Sequence, residues 1–156
     1  MKKIFIDTEF THFIHTSLIS LGMAAESGEE EYIETEFDVA ECSDFVRAAV
    51  LPQLGQYPNA FCTRAGLRLR LLTWLNLVRR VGDDVVILFD YTTDWTLFID
   101  ALDYNVPAWC KSANVAHQIN NLLLREHFDM TGQQEHHALH DARANRYAYR
   151  EPYHDK

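Results

Sequence analysis

The hydrophobic positions of this chain change their period several times, and each change marks an element. Ile4-Phe5-Ile6 is a continuous apolar run inside Lys3 to Thr8, the pattern of a buried strand. Leu18 to Ala25 reads as a second strand and Glu30 to Phe37 as a third. With Ser27-Gly28 as the turn between the last two, the three form a meander. Beyond the loop at Val39 to Cys42, Ser43 can cap a short helix through about Val50, which Pro52 interrupts or ends. Within Cys62 to Val81, Leu67, Leu71, Trp74, Leu75 and Val78 recur at helical spacing, predicting a long amphipathic helix stopped by Gly82. Asp84 to Phe89 is a β-branched apolar strand, and Thr92 or Thr93 can cap a helix from Asp94 to about Leu102. His117 to Phe128 and Ala138 to about Arg150 predict two further helices, the last ending before Pro152. Strands first, then alternating helix and strand, predict a mixed α/β sheet covered by helices.

At 156 residues and 47% hydrophobic, the chain can bury one substantial core, and no linker or repeat divides it. One domain over residues 1–156 is expected. No apolar stretch approaches the roughly 20 residues of a membrane span, and Met1-Lys2-Lys3 leads into a strand rather than a signal peptide. Cys42, Cys62 and Cys110 are odd in number and form no CxxC pair, which argues against a disulfide framework or zinc site and fits a reducing cytoplasm. The net charge of −9 disfavours broad, nonspecific binding to a phosphate backbone, so any nucleic-acid contact should be local. Acids cluster from Glu26 to Glu41. Basic residues concentrate at Arg64, Arg68, Arg70, Arg79 and Arg80, and again at Arg143, Arg146 and Arg150.

Candidate chemistry sits at the two ends of the chain. Asp7 and Glu9 follow the first apolar run two residues apart, so they share one face of a strand and their repulsion calls for compensation. Hard divalent cations provide it, because they prefer carboxylate oxygens. Near the other end, His136-His137-Ala138-Leu139-His140-Asp141-Ala142 puts a histidine just before the last predicted helix and an acid in its first turn. Asp94, at the start of the helix after the later strand, supplies a third element. Each has an ordinary reading as well. Acids at strand ends are often merely solvated, acids at helix starts suit the dipole, and clustered histidines are commonly exposed.

In this order, Asp-x-Glu, a middle Asp and His-x-Ala-x-x-Asp-Ala resemble the motifs of DEDDh 3'-5' exonucleases. More narrowly, Phe5 to Phe10 followed by Ser17 to Gly28 resembles the small bacterial 3'-5' exoribonucleases of the RNase AS type. The resemblance implies a ribonuclease H-like fold, with a mixed five-stranded sheet of an antiparallel meander plus parallel strands, flanked by helices. It also implies that Asp7, Glu9, Asp94 and Asp141 hold two divalent cations, Mg2+ or Mn2+, and that His136 is the general base. Many such enzymes carry an Asn four residues before the middle Asp; here that position is Asp90, which could share the metal role. Asp94 is preferred because it begins the helix, with Trp95, Leu97 and Phe98 behind it. His137 and His140 are rivals to His136, which the spacing to Ala138 and Asp141 favours. A homodimer is implied as well, in which basic residues of one copy could assist the other.

Charge management is the physical reason for such a set. Phosphodiester hydrolysis builds negative charge on the attacking water, the phosphoryl oxygens and the departing oxygen, which two cations about 3.5–4 Å apart can stabilise. An imidazole, with an ordinary pKa of about 6.5, can accept the water's proton. Phe10 is placed to stack on a terminal base, Thr8 and Leu18 to line its site, and His12 to reach sugar or phosphate. The expected activity is release of nucleoside 5'-monophosphates from RNA 3' ends, single-stranded or overhanging. The alternatives are a 3'-5' DNA exonuclease and a protein of the same fold that binds nucleic acid without cleaving it.

Overall fold

The computed structural model describes residues 1–152. Five strands, β1 (Lys2–Phe10), β2 (Leu18–Ala25), β3 (Glu30–Glu34), β4 (Val85–Phe89) and β5 (Cys110–Asn114), form one sheet in the order β3-β2-β1-β4-β5. The β1–β2 and β2–β3 pairs are antiparallel, whereas β1–β4 and β4–β5 are parallel. Five helices flank the sheet: α1 (Asp44–Ala49), α2 (Leu67–Val78), α3 (Thr92–Ala101), α4 (Asn121–Thr131) and α5 (Ala138–Ala148). This mixed α/β architecture is the one expected, and it is consistent with a ribonuclease H-like fold. None of the helices among the described residues is long and apolar enough to cross a membrane.

Alternation along β1 divides the two layers. Ile4 and Ile6 join the main core with Leu67, Leu71, Trp74, Leu75 and Val78 of α2 and with Leu97 and Phe98 of α3. Phe5 belongs to a separate apolar cluster on the opposite side, where the Tyr149 ring packs against it. Asp7 and Glu9 share the face of Phe5 by period two, so the side turned to α5 is where the acids emerge.

Several boundaries differ from expectation for identifiable reasons. α2 begins at Leu67, not Cys62, because residues 60–62 lie along the edge of β3, with Glu34 donating to the Ala60 carbonyl and Cys62 to that of Glu34. It ends at Val78, where Arg79 turns extended with its guanidinium stacked 4.1 Å from the Trp109 ring; Gly82, at φ 86°, serves the following turn. α3 starts at Thr92, with Tyr91 as its cap residue, and no threonine side chain caps it. α4 starts at Asn121, where the Asn120 side chain accepts from the Leu122 and Leu123 amides, while residues 116–118 form a single 3-10 turn. α5 stops at Ala148, because Tyr149 bridges to Ile119. β3 stops at Glu34 rather than Phe37, as the chain leaves the sheet for α1. The fifth strand carried no local signal. In Cys-Lys-Ser-Ala-Asn only Cys110 is buried, as befits a polar edge.

Candidate active site

β1 brings the first two acids to the site. Asp7 pairs with Gly22 and Glu9 with Ser20 on β2, and a register shift between Glu9 and Phe10 ends the regular ladder beside them. β4 runs parallel to β1 with Phe5 opposite Leu88, so two residues further on Asp90 emerges beside Asp7. Asp94 follows one helical turn later on α3. It is 2% exposed, and its Oδ1 accepts from the Thr8 amide at 3.1 Å and the Thr8 hydroxyl at 2.6 Å. Thr8 thus spends its polar groups on Asp94, from inside the protein. The other carboxylate oxygen of Asp94 is buried with no hydrogen-bond partner.

α5 delivers the remaining groups by unusually close packing. A Cβ placed on Gly22 would lie 2.3 Å from the Ala138 carbonyl carbon and oxygen, so helix and strand touch backbone to backbone. Ala138, fully buried, is small enough to permit this. Asp141 accepts the His136 amide at 3.1 Å, and Asn145, one turn later, donates to Asp90 at 3.1 Å. Ligand atoms of Glu9, His136 and Asp141 lie within 4.8 Å of one another, as do those of Asp7, Asp90 and Asp94. All five expected residues are therefore brought together, and Asp90 joins them. Asp7, Asp90, His136, Asp141 and Asn145 line a cleft of about 200 Å3 together with the apolar Leu124 and Phe128 of α4.

The electrostatics are those of a site short of positive charge. Burial first, then the charges of Asp94, Asp141, Glu9 and Asp90, hold Asp7 well above the usual carboxylate range. Burial, reinforced by Asp141 and Asp94, pushes Glu9 up to about 8. Burial likewise raises Asp94 to about 7, against the opposing hydrogen bond from Thr8. Asp141 rises to about 7 by burial, against the His136 hydrogen bond and aided by Glu135 and Asp90. No Lys or Arg lines the cleft among the described residues. Oxygen-rich donors, mutual repulsion and the orphaned Asp94 oxygen fit hard divalent cations.

The three adjacent histidines separate clearly. His137 is buried and stacked between Tyr32 and His140, with ring centroids 4.4 and 3.9 Å away, and burial lowers its pKa to about 4. His140 Nδ1 lies 2.8 Å from the Gln134 carbonyl, and its Nε2 is 3.0 Å from the Tyr57 hydroxyl. A carbonyl only accepts, so Nδ1 carries the hydrogen and Nε2 accepts from Tyr57. His136 is exposed, and it is the one whose ring stands with Glu9 and Asp141. Among the proposed substrate residues, Phe10 is partly buried and packs edge-on to exposed Phe13 at 5.4 Å, and Phe13 packs in turn on Tyr91 at 6.4 Å. Leu18 is buried in the core, and His12 Nδ1 accepts from the Ile14 amide. The basic groups are largely committed. Arg70 pairs with Glu31, and Arg143 and Arg146 both pair with Glu30.

The central strands of this α/β fold thus end in a partly buried cluster of acids that could hold metal ions. Two curated proteins named 3'-5' exoribonuclease, from Mycobacterium tuberculosis strains CDC 1551 / Oshkosh and ATCC 25618 / H37Rv, are each 48% identical to this chain over 54 residues. The match covers 33% of this chain and 32% of each relative. The chain is thus matched to about a third of the length of those relatives. No family model matches it.

Proposed function

We propose that this protein is a divalent-cation-dependent 3'-5' exoribonuclease that releases nucleoside 5'-monophosphates. The convergence of Asp7, Glu9, Asp90, Asp94, Asp141 and His136 from three stretches of the chain into two adjoining donor groups beside one cleft carries this reading, and the name of the partial relatives supports its direction. Asp7, Glu9, Asp94 and Asp141 hold the ions, with Asp90 as a further oxygen donor. Two such cations, Mg2+ or Mn2+, supply when bound the positive charge that the attacking water and the departing 3' oxygen need.

The chain's own groups do the rest. His136 accepts the proton of the attacking water at a ring nitrogen, for which exposure and proximity to Glu9 and Asp141 suit it. Thr8 holds Asp94 in place through two hydrogen bonds. Phe10, Phe13 and Tyr91 form a ladder of rings beside the acids, a surface on which unstacked bases of a single strand can rest. Leu18 packs within the core behind this surface, and His12 stands in the loop that carries Phe13. A homodimer, working in the cytoplasm, completes the reading.

A digest of 5'-labelled and 3'-labelled oligoribonucleotides with Mg2+ or Mn2+, run beside an EDTA control, tests it. The expected products are a descending ladder from the 5' label and mononucleotide from the 3' label, both abolished by EDTA. Internal cleavage, or activity in EDTA, would overturn the proposal. Matched DNA strands ending in a single ribose test the preference for RNA; equal degradation with and without that hydroxyl rules it out.

A further inference from the structure

The segment that presents His136 is gripped by a side chain outside the acidic cluster. Gln53 lies in the 3-10 turn Leu51–Gln53 that follows α1, and it is buried. Its Nε2 is 2.9 Å from the Ala49 carbonyl, 2.7 Å from that of Glu135 and 3.1 Å from that of His136. An amide nitrogen carries two hydrogens. One returns to Ala49 and fixes the orientation of the amide, and the other is shared between the two successive carbonyls of the distant segment. The preceding carbonyl, of Gln134, is bound by His140. Three consecutive carbonyls of one loop are therefore tied to side chains of neighbouring elements.

This grip has strain to hold. His136 adopts φ 62°, in the left-handed region, which is uncommon for a residue other than glycine and persists where the surroundings enforce it. Its amide donates to Asp141, and Phe45 sets its ring edge-on at 4.9 Å. Asp141 is also needed for the ions, and Phe45 is itself exposed. Gln53 is buried, neutral and bound to the carbonyl side of the strained residue.

We infer that Gln53 is a positioning residue, one that fixes the backbone of His136 so that its ring points at Glu9 and Asp141. The inference rests on the reading of His136 as the general base and deepens it. Gln53→Met keeps the length of the side chain and removes both donors. In the full chain loaded with Mn2+, kcat on an oligoribonucleotide should fall about 100-fold, the scale of a 1 Å misplacement, with KM held within about twofold. Val50→Ala loosens the same unit from its apolar side, where Val50 packs with Ile19, Cys42 and Val46, and should leave kcat within about threefold.

A double-mutant cycle isolates the route of action. If Gln53 works through His136, Gln53→Met should change kcat by less than about twofold in a His136→Ala background. Equal losses in both backgrounds, an equal loss in Val50→Ala, or no loss at all would overturn the inference. Hydrogen exchange gives a reading that needs no activity. The His136 amide should exchange at least about tenfold faster in Gln53→Met while the amides of α5 stay protected. Unchanged exchange overturns the grip itself. An unaltered protein that leaves RNA intact defeats the proposed function instead, and exchange alone then decides whether Gln53 holds the segment.

Discussion

Replacing Gly22 with alanine should lift the last helix off the sheet and carry Asp141 with it. The added Cβ would meet the carbonyl carbon and oxygen of Ala138 at 2.3 Å and the Leu139 nitrogen at 2.4 Å, whereas unstrained carbon contacts sit near 3.5–4.0 Å, about 1 Å or more further out. Gly22 has an ordinary negative φ, so the perturbation is steric only. All three atoms met are backbone, and no side-chain rotation relieves the clash. Overpacking costs about 1–3 kcal/mol where side chains can adjust, and here the upper end, about 3 kcal/mol, applies. Asp141 lies three residues after Ala138 in the first turn of α5, so a retreat of about 1 Å there should slow hydrolysis about 100-fold. Urea unfolding of the metal-free protein reads the first quantity and initial rates on labelled RNA the second. A variant within about 0.5 kcal/mol of the parent in stability and equal to it in rate would refute the claim that this contact sets the position of Asp141.

Further consequences concern the acids. Glu9, Asp94 and Asp141 keep their protons to about 7–8 in the folded chain, against about 4 when unfolded. The folded state therefore binds more protons over that window, and metal-free stability should fall by several kcal/mol in order of magnitude as pH rises from about 4 to 8. Mn2+ should restore it at pH 8, and urea midpoints higher at pH 8 than at pH 5 in EDTA would contradict the sign. Asp7→Asn should raise the metal-free midpoint at pH 8, because it takes an ionisable group out of the repelling cluster and so eases ionisation of the other acids, while lowering the RNA rate by at least about 100-fold. A lowered midpoint refutes the first part, and retained hydrolysis the second. Asp90→Asn should weaken Mn2+ binding about 10–100-fold by calorimetry; unchanged affinity would confine Asp90 to its hydrogen bond with Asn145.

What could be read from the residues divides by the range of the cause. Runs such as Ile4-Phe5-Ile6 and Val85 to Phe89 announce strands because their burial is local in origin, and the spacing of Asp7 and Glu9 fixes a shared face. Ala138 pointed to a tightly packed helix start, and Gly22 supplies the other half of that contact. β5 stayed hidden because an edge strand needs little apolar surface. Asp90 was visible as a candidate, but its place beside Asp7 follows from the β1–β4 register, a pairing between segments about 80 residues apart. Gln53 gave no signal, since a lone polar residue after a proline looks like any loop glutamine. Its importance comes from carbonyls 82 and 83 residues away.

Both margins of the sheet are poor places for another strand to add. On one side residues 60–62 lie against β3 through the Glu34–Phe61 bridge. On the other, β5 offers exposed Lys111 and Ser112, the kind of rim that deters a second chain from extending the ladder.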